Sequence, residues 1–393
     1  MKVLLATTAT PDDRKTVACA RALARSGVWV AVGGDSFWDQ AFYSRHVRRR
    51  LGYPHPRFGI PPFLAALNAH VERDQYDVVL PMNDYTTTAL TRGRDSLHPN
   101  VATALPPLAS LEIAADKFRT STLADSLGIK TPTTFAVEND DHLREIGNHI
   151  DFPCVVKLRR GSGAVGLQMI DGLEQLASAL DRQRGPSDIA FDREHLLVQE
   201  YVPGEVHDAC VLCDHGKILA GLTQKRLRAY PSEGGVGTVV ETTHEPELLD
   251  HAQRLLEALH WHGPAQAEFK VDGETGRTWL IEINGRFWGS TGAAIQAGID
   301  FPSLTCQLAR AEEVSVAPEY EVGLRYRFPI PFGLLALAEG GSRLRVAKDF
   351  FAPQRDTYSD LVWSDPLPLI AESLYIARRA WQRRSLRPAK QRL

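Results

Sequence analysis

The first hundred residues alternate between two kinds of apolar spacing. Residues 2–6 (KVLLA) form a short continuous apolar run, the mark of a buried strand. Residues 12–26 carry the wider spacing of a helix, stopped by Gly27, and residues 28–32 return to a strand. Residues 61–74 and 76–80 repeat the helix–strand pair, which predicts the start of an open α/β sheet. Between them the cluster Arg45, Arg48, Arg49 and Arg50 reads as a solvated helix face. Further on, residues 116–127 predict a helix closed by Gly128, and residues 152–158, 167–170, 195–202 and 218–223 predict strands. The plainest helix is 247–260. Leu248, Leu249, Ala252, Leu255, Leu256 and Leu259 make one stripe, with Pro246 at the first turn and Gly263 beyond the end, so it is core.

The pattern changes again over residues 266–290, QAEFKVDGETGRTWLIEINGRFWGS. Two strands flank the turn sequence Asp-Gly-Glu-Thr-Gly, rich in residues that accept positive φ and make polar turn bonds. Alternation puts Gln266, Glu268 and Lys270 on one face of the first arm. In the second arm Trp279, Ile281 and Ile283 alternate with Leu280, Glu282 and Asn284. One face is therefore apolar, and the other carries Glu268, Glu282 and Asn284, with Arg286 just beyond. Carboxylates on paired strands repel unless a cation lies between them. Two carboxylates and an amide oxygen suit a hard ion such as Mg²⁺ (or Mn²⁺), and the arginine adds a fork for a phosphate or carboxylate oxygen. A solvated face with incidental acids is the competing reading.

Composition narrows the classes. A chain of 393 residues can bury a sizeable core and holds two or three domains. Its net charge of −3 argues against a general nucleic-acid binder. No apolar run is long enough for a transmembrane segment, and residues 1–5 lead into a strand rather than a signal peptide. The five cysteines are scattered. Cys210 and Cys213 form a C-x-x-C without a second pair in a strand-like run, which speaks against zinc or redox use and for a reducing cytoplasm.

The run Gly161, Ser162, Gly163, Ala164, Val165, Gly166 spells G-x-G-x-x-G, but it joins two strands instead of opening a helix, so a dinucleotide site is not supported. A plain hairpin is one reading. The other is a flap whose backbone amides close over a polyphosphate, with Lys157 in the strand before it as a point charge. Asn83 and Asp84, after the strand at 76–80, sit where substrates bind or where a helix is capped. The terminal stretch 367–384 is helical and basic, the mark of a solvated helix or of a membrane or partner surface.

Taken together, Glu268 and the run Glu282-Ile283-Asn284-Gly285-Arg286-Phe287-Trp288-Gly289-Ser290 resemble the metal-binding end of the ATP-grasp superfamily, on its carboxylate–amine ligase-like branch. Members usually have proline where this chain has Gly285. The resemblance implies an α/β ATP-grasp fold, with two α+β subdomains gripping ATP, preceded by a small Rossmann-like parallel α/β domain. The expected ranges are 1–108 for the first domain and 109–315 for the core, with a lid near 133–197 and a metal-binding part near 198–315. A C-terminal extension covers 316–393. The resemblance implies ATP and Mg²⁺ as cofactors, with the metal on Glu268, Glu282 and Asn284. Lys117 and Lys157 approach the phosphates beneath Gly161, Ser162, Gly163 and Gly166. Gln199, Glu200, Tyr201 and Val202 meet the adenine, Glu205 ahead of Asp208 meets the ribose, and Lys225 and Arg286 act in catalysis. Arg226 and Arg228 are unranked between an acceptor carboxylate and solvent. The implied reaction activates a small-molecule carboxylate as an acyl phosphate for an amine. A carboxylase or carbamoyl-phosphate-type enzyme and a non-catalytic nucleotide-binding module are the alternatives, and a homodimer is compatible with each.

Overall fold

The computed structural model describes residues 1–10, 13–137, 140–161, 167–176, 196–232, 234–315, 319–339 and 357–385. By contacts it divides into two units. The first comprises Met1–Leu105, Gly237–Thr242 and Arg286–Leu393, and the second Pro106–Val236 and Thr243–Gly285. In this division 286–315 and 316–393 both cluster with the N-terminal residues.

The first unit begins with β1 (Lys2–Ala6), α1 (Arg14–Arg25), β2 (Trp29–Gly34), β3 (Arg49–Gly52), α2 (Ile60–Asp74), β4 (Val78–Pro81) and α3 (Asp84–Arg92). The strands are parallel in the order β3-β2-β1-β4. Leu4, Ala31 and Val79 meet Phe63, Leu67 and Val71 of α2 in one core. Burying each large apolar side chain there contributes roughly 1.5–3 kcal/mol. The arginine cluster is not a helix face. Arg49 and Arg50 lie exposed on β3, with only Leu51 turned inward. Their charges discourage pairing on an edge strand. Asn83 caps α3: its side chain accepts from the Thr86 N–H at 3.1 Å and donates to Thr8 Oγ1 at 3.0 Å.

The second unit opens with α4 (Leu108–Ala114), α5 (Lys117–Ser126), β5 (Thr134–Ala136), α6 (Asp140–His149), β6 (Cys154–Leu158), β7 (Gln168–Ile170) and β8 (Leu196–Glu200). An antiparallel sheet of order β5-β8-β6-β7 packs Cys154, Val156, Ile170 and Val198 against Ile146 and Ile150. The glycine-rich segment therefore joins paired antiparallel strands, although Ser162, Gly163 and Gly166 lie outside the described residues. Next come β9 (Glu205–Asp214), β10 (Lys217–Tyr230), β11 (Val236–Thr243), of which Gly237–Thr242 count with the first unit, α7 (Pro246–Ala258), β12 (Gly263–Val271) and β13 (Thr278–Asn284).

Strands β13, β12, β9 and β10 are antiparallel neighbours in that order. One face supplies Ala209, Val211, Ala265, Ala267 and Phe269 to a core completed by Leu248, Ala252, Leu255 and Leu256 of α7. The predicted alternation of β13 is broken by a bulge: Glu268 pairs with Glu282 but Phe269 pairs with Leu280, so Ile281 is the extra residue. Leu280 and Ile283, rather than Ile281, enter the core. Cys210 and Cys213 fall on opposite faces of β9, as a three-residue offset in a strand requires, and all five cysteines are free. The glycine at 285 also has a structural reason. A Cβ there would lie 2.6 Å from Trp261 Cη2 and 3.0 Å from Leu111 Cδ1, and Trp261 is fully buried.

The chain then completes the first unit with α8 (Thr291–Gln296), α9 (Phe301–Ala309), β14 (Arg325–Arg327), α10 (Leu334–Glu339), β15 (Thr357–Ser359) and α11 (Leu367–Ser385). Residues Val239–Glu241 of β11 pair with β14, and β14 pairs with β15. Asp365 fastens this segment to the N-terminal residues. It accepts from Arg21 Nε at 2.9 Å, Ser44 Oγ at 2.7 Å and the Arg45 N–H at 2.8 Å. The C-terminal region is thus part of the first unit's fabric, which no local pattern in the sequence announced.

Candidate active site

On the face of the antiparallel sheet opposite the α7 core, register assembles a row of polar side chains. Glu282 on β13 stands opposite Glu268 on β12, Glu268 opposite Asp208 on β9, and Asp208 opposite Gln224 on β10. One rung along, Asn284 stands opposite Gln266. Adjacent like charges across a sheet destabilise it unless compensated. Compensation comes from three cations. Arg226, two residues beyond Gln224 and hence on the same face, binds the Glu268 carboxylate and lies 3.3 Å from Asp208 Oδ1. Lys117 Nζ lies 3.0 Å from Glu282 Oε2 and donates to the Gly161 carbonyl at 2.5 Å. Lys157 is buried, and the Glu282 and Glu268 charges act on it. Gln224 Nε2 donates to Asp208 Oδ2 at 2.9 Å, and Asn284 Nδ2 to Glu282 Oε1 at 3.0 Å.

Each cation is positioned by local structure. Asp116 caps α5 by accepting from the Phe118 and Arg119 N–H groups, and Arg159 Nε grips both of its oxygens at 2.8 and 2.9 Å. This fixes Lys117 at the first turn, and the Lys117 N–H donates to the Arg159 carbonyl. Lys157 is held in β6, in register with Leu197 of β8.

Three carboxylates and three cations give a balanced set in which no side chain is more than 15% exposed. Burial favours the neutral forms, and the partners decide which groups resist it. For Glu282 burial pushes upward, but Lys117 and Lys157 overcome it and hold the carboxyl at about 2. Burial raises Glu268 to about 7, with Glu282 and Asp208 adding to the rise against Arg226. Burial also opposes the Arg226 charge, yet Glu268 and Asp208 raise its pKa. Lys157 is lowered to about 8 by burial and then by Lys117, with Glu282 and Glu268 pulling the other way.

Lys157 yields a stability prediction. Its ordinary value is 10.5 and its folded value about 8, so below pH 8 it is charged in both states and the buried charge opposes folding. Between pH 8 and 10.5 the folded protein releases the proton first, and that cost, roughly 3 kcal/mol, fades as pH rises. Lys157→Met is expected to raise Tm at pH 7 and to lose that advantage by pH 10.5. Melts at the two values check it, and an equal gain at both contradicts the assignment.

Other candidates lie elsewhere. Gln199 Nε2 donates to Thr134 Oγ1 at 2.7 Å, and Glu200 Oε2 accepts from the Thr133 N–H at 2.9 Å, so both side chains tie β8 to β5. Tyr201 is exposed and Val202 buried. Glu205 is exposed, 3.8 Å from His207 Nε2. Lys225 stands opposite His207, on the face away from Gln224 and Arg226, in the field of Glu245, which His207 Nδ1 contacts at 2.8 Å. The structure does not bring Lys225 to the carboxylate row; Arg226 stands there. Arg286 belongs to the first unit, its Nε 3.0 Å from Asp84 Oδ1.

Asp208 and Arg226 are the residues the sequence reading underrated. The available signal was period-two alternation along β9 and β10, which needs the pairing partner before it selects a face.

A family described as "ATP-grasp in the biosynthetic pathway with Ter operon" matches residues 192–328, and a RimK-like ATP-grasp domain matches residues 114–257. A D-alanine–D-alanine ligase of Pseudomonas putida (strain GB-1) is 25% identical over 219 residues, covering 52% of this chain and 65% of the ligase. The chain thus spans somewhat under two thirds of that relative. Among solved structures, a biotin carboxylase complex from Campylobacter jejuni has a TM-score of 0.66 at 14% identity, covering 82% of this chain and 74% of its own. An L-amino acid ligase from Bacillus licheniformis has a TM-score of 0.61 at 16% identity, covering 80% and 78%. At these identities the structural likeness shows the fold.

Proposed function

This chain belongs to the ATP-grasp superfamily of carboxylate–amine ligase-like proteins, and from that membership we propose that it is an ATP-dependent ligase that joins a carboxylate to an amine. The observation that carries the reading is the register-aligned row Glu282, Glu268 and Asp208, balanced by Lys117, Lys157 and Arg226. A scaffold module gains nothing from burying six opposed charges. A site that exchanges internal ion pairs for a metal and a polyphosphate does.

The donor set fits Mg²⁺: opposed glutamates and the neighbouring Asn284 amide supply hard oxygen ligands, with no thiol or imidazole in the row. Glu268, Glu282 and Asn284 would hold the ion, which when bound neutralises phosphate charge. Lys117 and Lys157 would turn from their carboxylates to phosphate oxygens. Arg226 holds Glu268 from behind and, with Asp208, sets its position. Arg286 is proposed for phosphate or acyl-phosphate oxygens on its motif position alone. The strand end Gln199–Val202 would meet the adenine through backbone groups and Glu205 the ribose. No role is assigned to Lys225.

In the reaction, a carboxylate oxygen forms a bond to the γ-phosphorus of ATP as the β–γ bridge breaks and ADP departs. An amine nitrogen then bonds to the acyl carbon, the carbon–oxygen bond to phosphate breaks, and the nitrogen gives up a proton. The chain's part is to align reactants, neutralise charge and exclude water from the acyl phosphate. Small-molecule acid and amine substrates and a cytoplasmic setting belong to this proposal. Among the described residues no helix is long and apolar enough to cross a membrane.

The test is Mg²⁺-dependent ADP release across a panel of carboxylic acids paired with amino acids or amines, with hydroxylamine as a trap. The expected result is acid-dependent ADP release and a hydroxamate of that same acid. ADP release without hydroxamate, or bicarbonate as the only effective acid, overturns the ligase reading.

A further inference from the structure

At the far end of β9 from the carboxylate row lies a second cluster. Asp208 and Asp214 stand six residues apart on one strand, roughly 20 Å at the rise of a β-strand. Among the described residues, Asp214, His215 and His262 each offer one ligand atom, all within 4.8 Å of one another. His215 Nδ1 is 2.7 Å and His262 Nδ1 3.2 Å from the same oxygen, Asp214 Oδ1, and the two rings lie 4.5 Å apart. We propose that Asp214, His215 and His262 form a binding site for a borderline transition-metal ion, Zn²⁺ in the first instance, separate from the Mg²⁺–nucleotide site.

Backbone geometry builds the cluster. His215 and Gly216 form the turn between β9 and β10 with φ of 46° and 96°, and this turn swings His215 back beside Asp214. The turn is anchored to the segment before β12. The Gly216 N–H donates to the Trp261 carbonyl at 2.7 Å, and Gln253 Nε2 donates to the Gly216 carbonyl at 2.8 Å. A Cβ at Gly216 would lie 2.9 Å from Glu257 Cα, so only glycine lets the turn sit this close to α7. His262 follows Trp261 directly and is mostly covered, whereas His215 is exposed.

The separations suit the ion. Tetrahedral zinc with ligands at about 2.0–2.2 Å spaces them about 3.3–3.5 Å apart. The Asp214–His262 pair already stands at 3.2 Å, and the exposed His215, its Nδ1 2.7 Å from the same oxygen, would draw back slightly to reach that spacing. Two imidazoles and one carboxylate match zinc or its neighbours, not Mg²⁺, and solvent completes the fourth position. Bound metal would clip the β9–β10 turn to the α7–β12 connection. At roughly 20 Å from the carboxylate row, the ion would act on this turn and not on the Glu268 site.

The experiment is Zn²⁺ titration of the full chain by calorimetry in excess Mg²⁺, with Co²⁺ absorption as a spectroscopic probe and Tm as a second readout. One equivalent of Zn²⁺ is expected, with a raised Tm. His215→Ala, an exposed change that leaves the fold intact, and His262→Ala are expected to weaken binding at least about tenfold. Glu282→Gln is expected to leave it unchanged. Absence of Zn²⁺ binding in the wild type, wild-type affinity in His215→Ala, or loss of binding in Glu282→Gln alone would each overturn the site.

Discussion

Arg226→Ala is expected to destabilise the protein by about 3–5 kcal/mol, because it leaves Glu268 and Asp208 buried without their cation. Glu268, already raised to about 7, rises further and carries a proton at neutral pH, so the proposed Mg²⁺ site would lose a charged ligand. ADP release should fall by at least about a hundredfold, the scale of a lost electrostatic group in an active site. Arg226→Lys keeps the charge but loses the planar guanidinium whose Nη2 reaches both carboxylates, and should recover most of the stability and part of the activity. Denaturant melts and ADP release on both variants check this. An alanine variant as stable and active as the wild type would show that the row is solvated and inessential.

Glu282→Gln acts differently, because the amide keeps the shape and an oxygen to accept from Asn284 Nδ2. The fold should survive, while Mg²⁺-dependent ADP release falls by roughly 10²–10³. Removal of the Glu282 charge lowers the pKa of two neighbours, which makes Glu268 more readily charged and Lys157 less so. Glu268 loses a like neighbour and its pKa moves down from about 7; Lys157 loses an anion and moves down from about 8. Mn²⁺ titration followed by electron paramagnetic resonance reads the metal loss directly. Full ADP release in a folded variant would remove Glu282 from the reaction.

These expectations separate stability from chemistry within one row. Arg226 is expected to matter for stability and activity together, since it is nearly enclosed by the acids it neutralises. Glu282 is held at about 2 by Lys117 and Lys157, groups proposed to turn toward phosphate, so its charge is ready without serving the fold alone.

Much of this was legible in the sequence because it rests on local rules. The parallel β/α start follows from apolar runs alternating with helical spacing, the α7 stripe from its 3.6-residue period, and the helix beginning near Asp116 from the same spacing. The motif Glu-Ile-Asn-Gly-Arg marks Glu282 and Asn284, and alternation alone puts Glu268 on the face to match. What the sequence by itself could not decide was which other strands share that face. Asp208 and Arg226 join the row only through the register of β9 and β10, and the Ile281 bulge shifts Leu280 into the core by one residue. Lys225, one position from Arg226, is turned to the opposite side by the same pleat. Asp365 binds Arg21 and Ser44 across more than three hundred residues of chain. Pairing of this kind depends on long-range contacts, and a one-residue slip reverses every side chain, so only the folded sheet could say which charges meet.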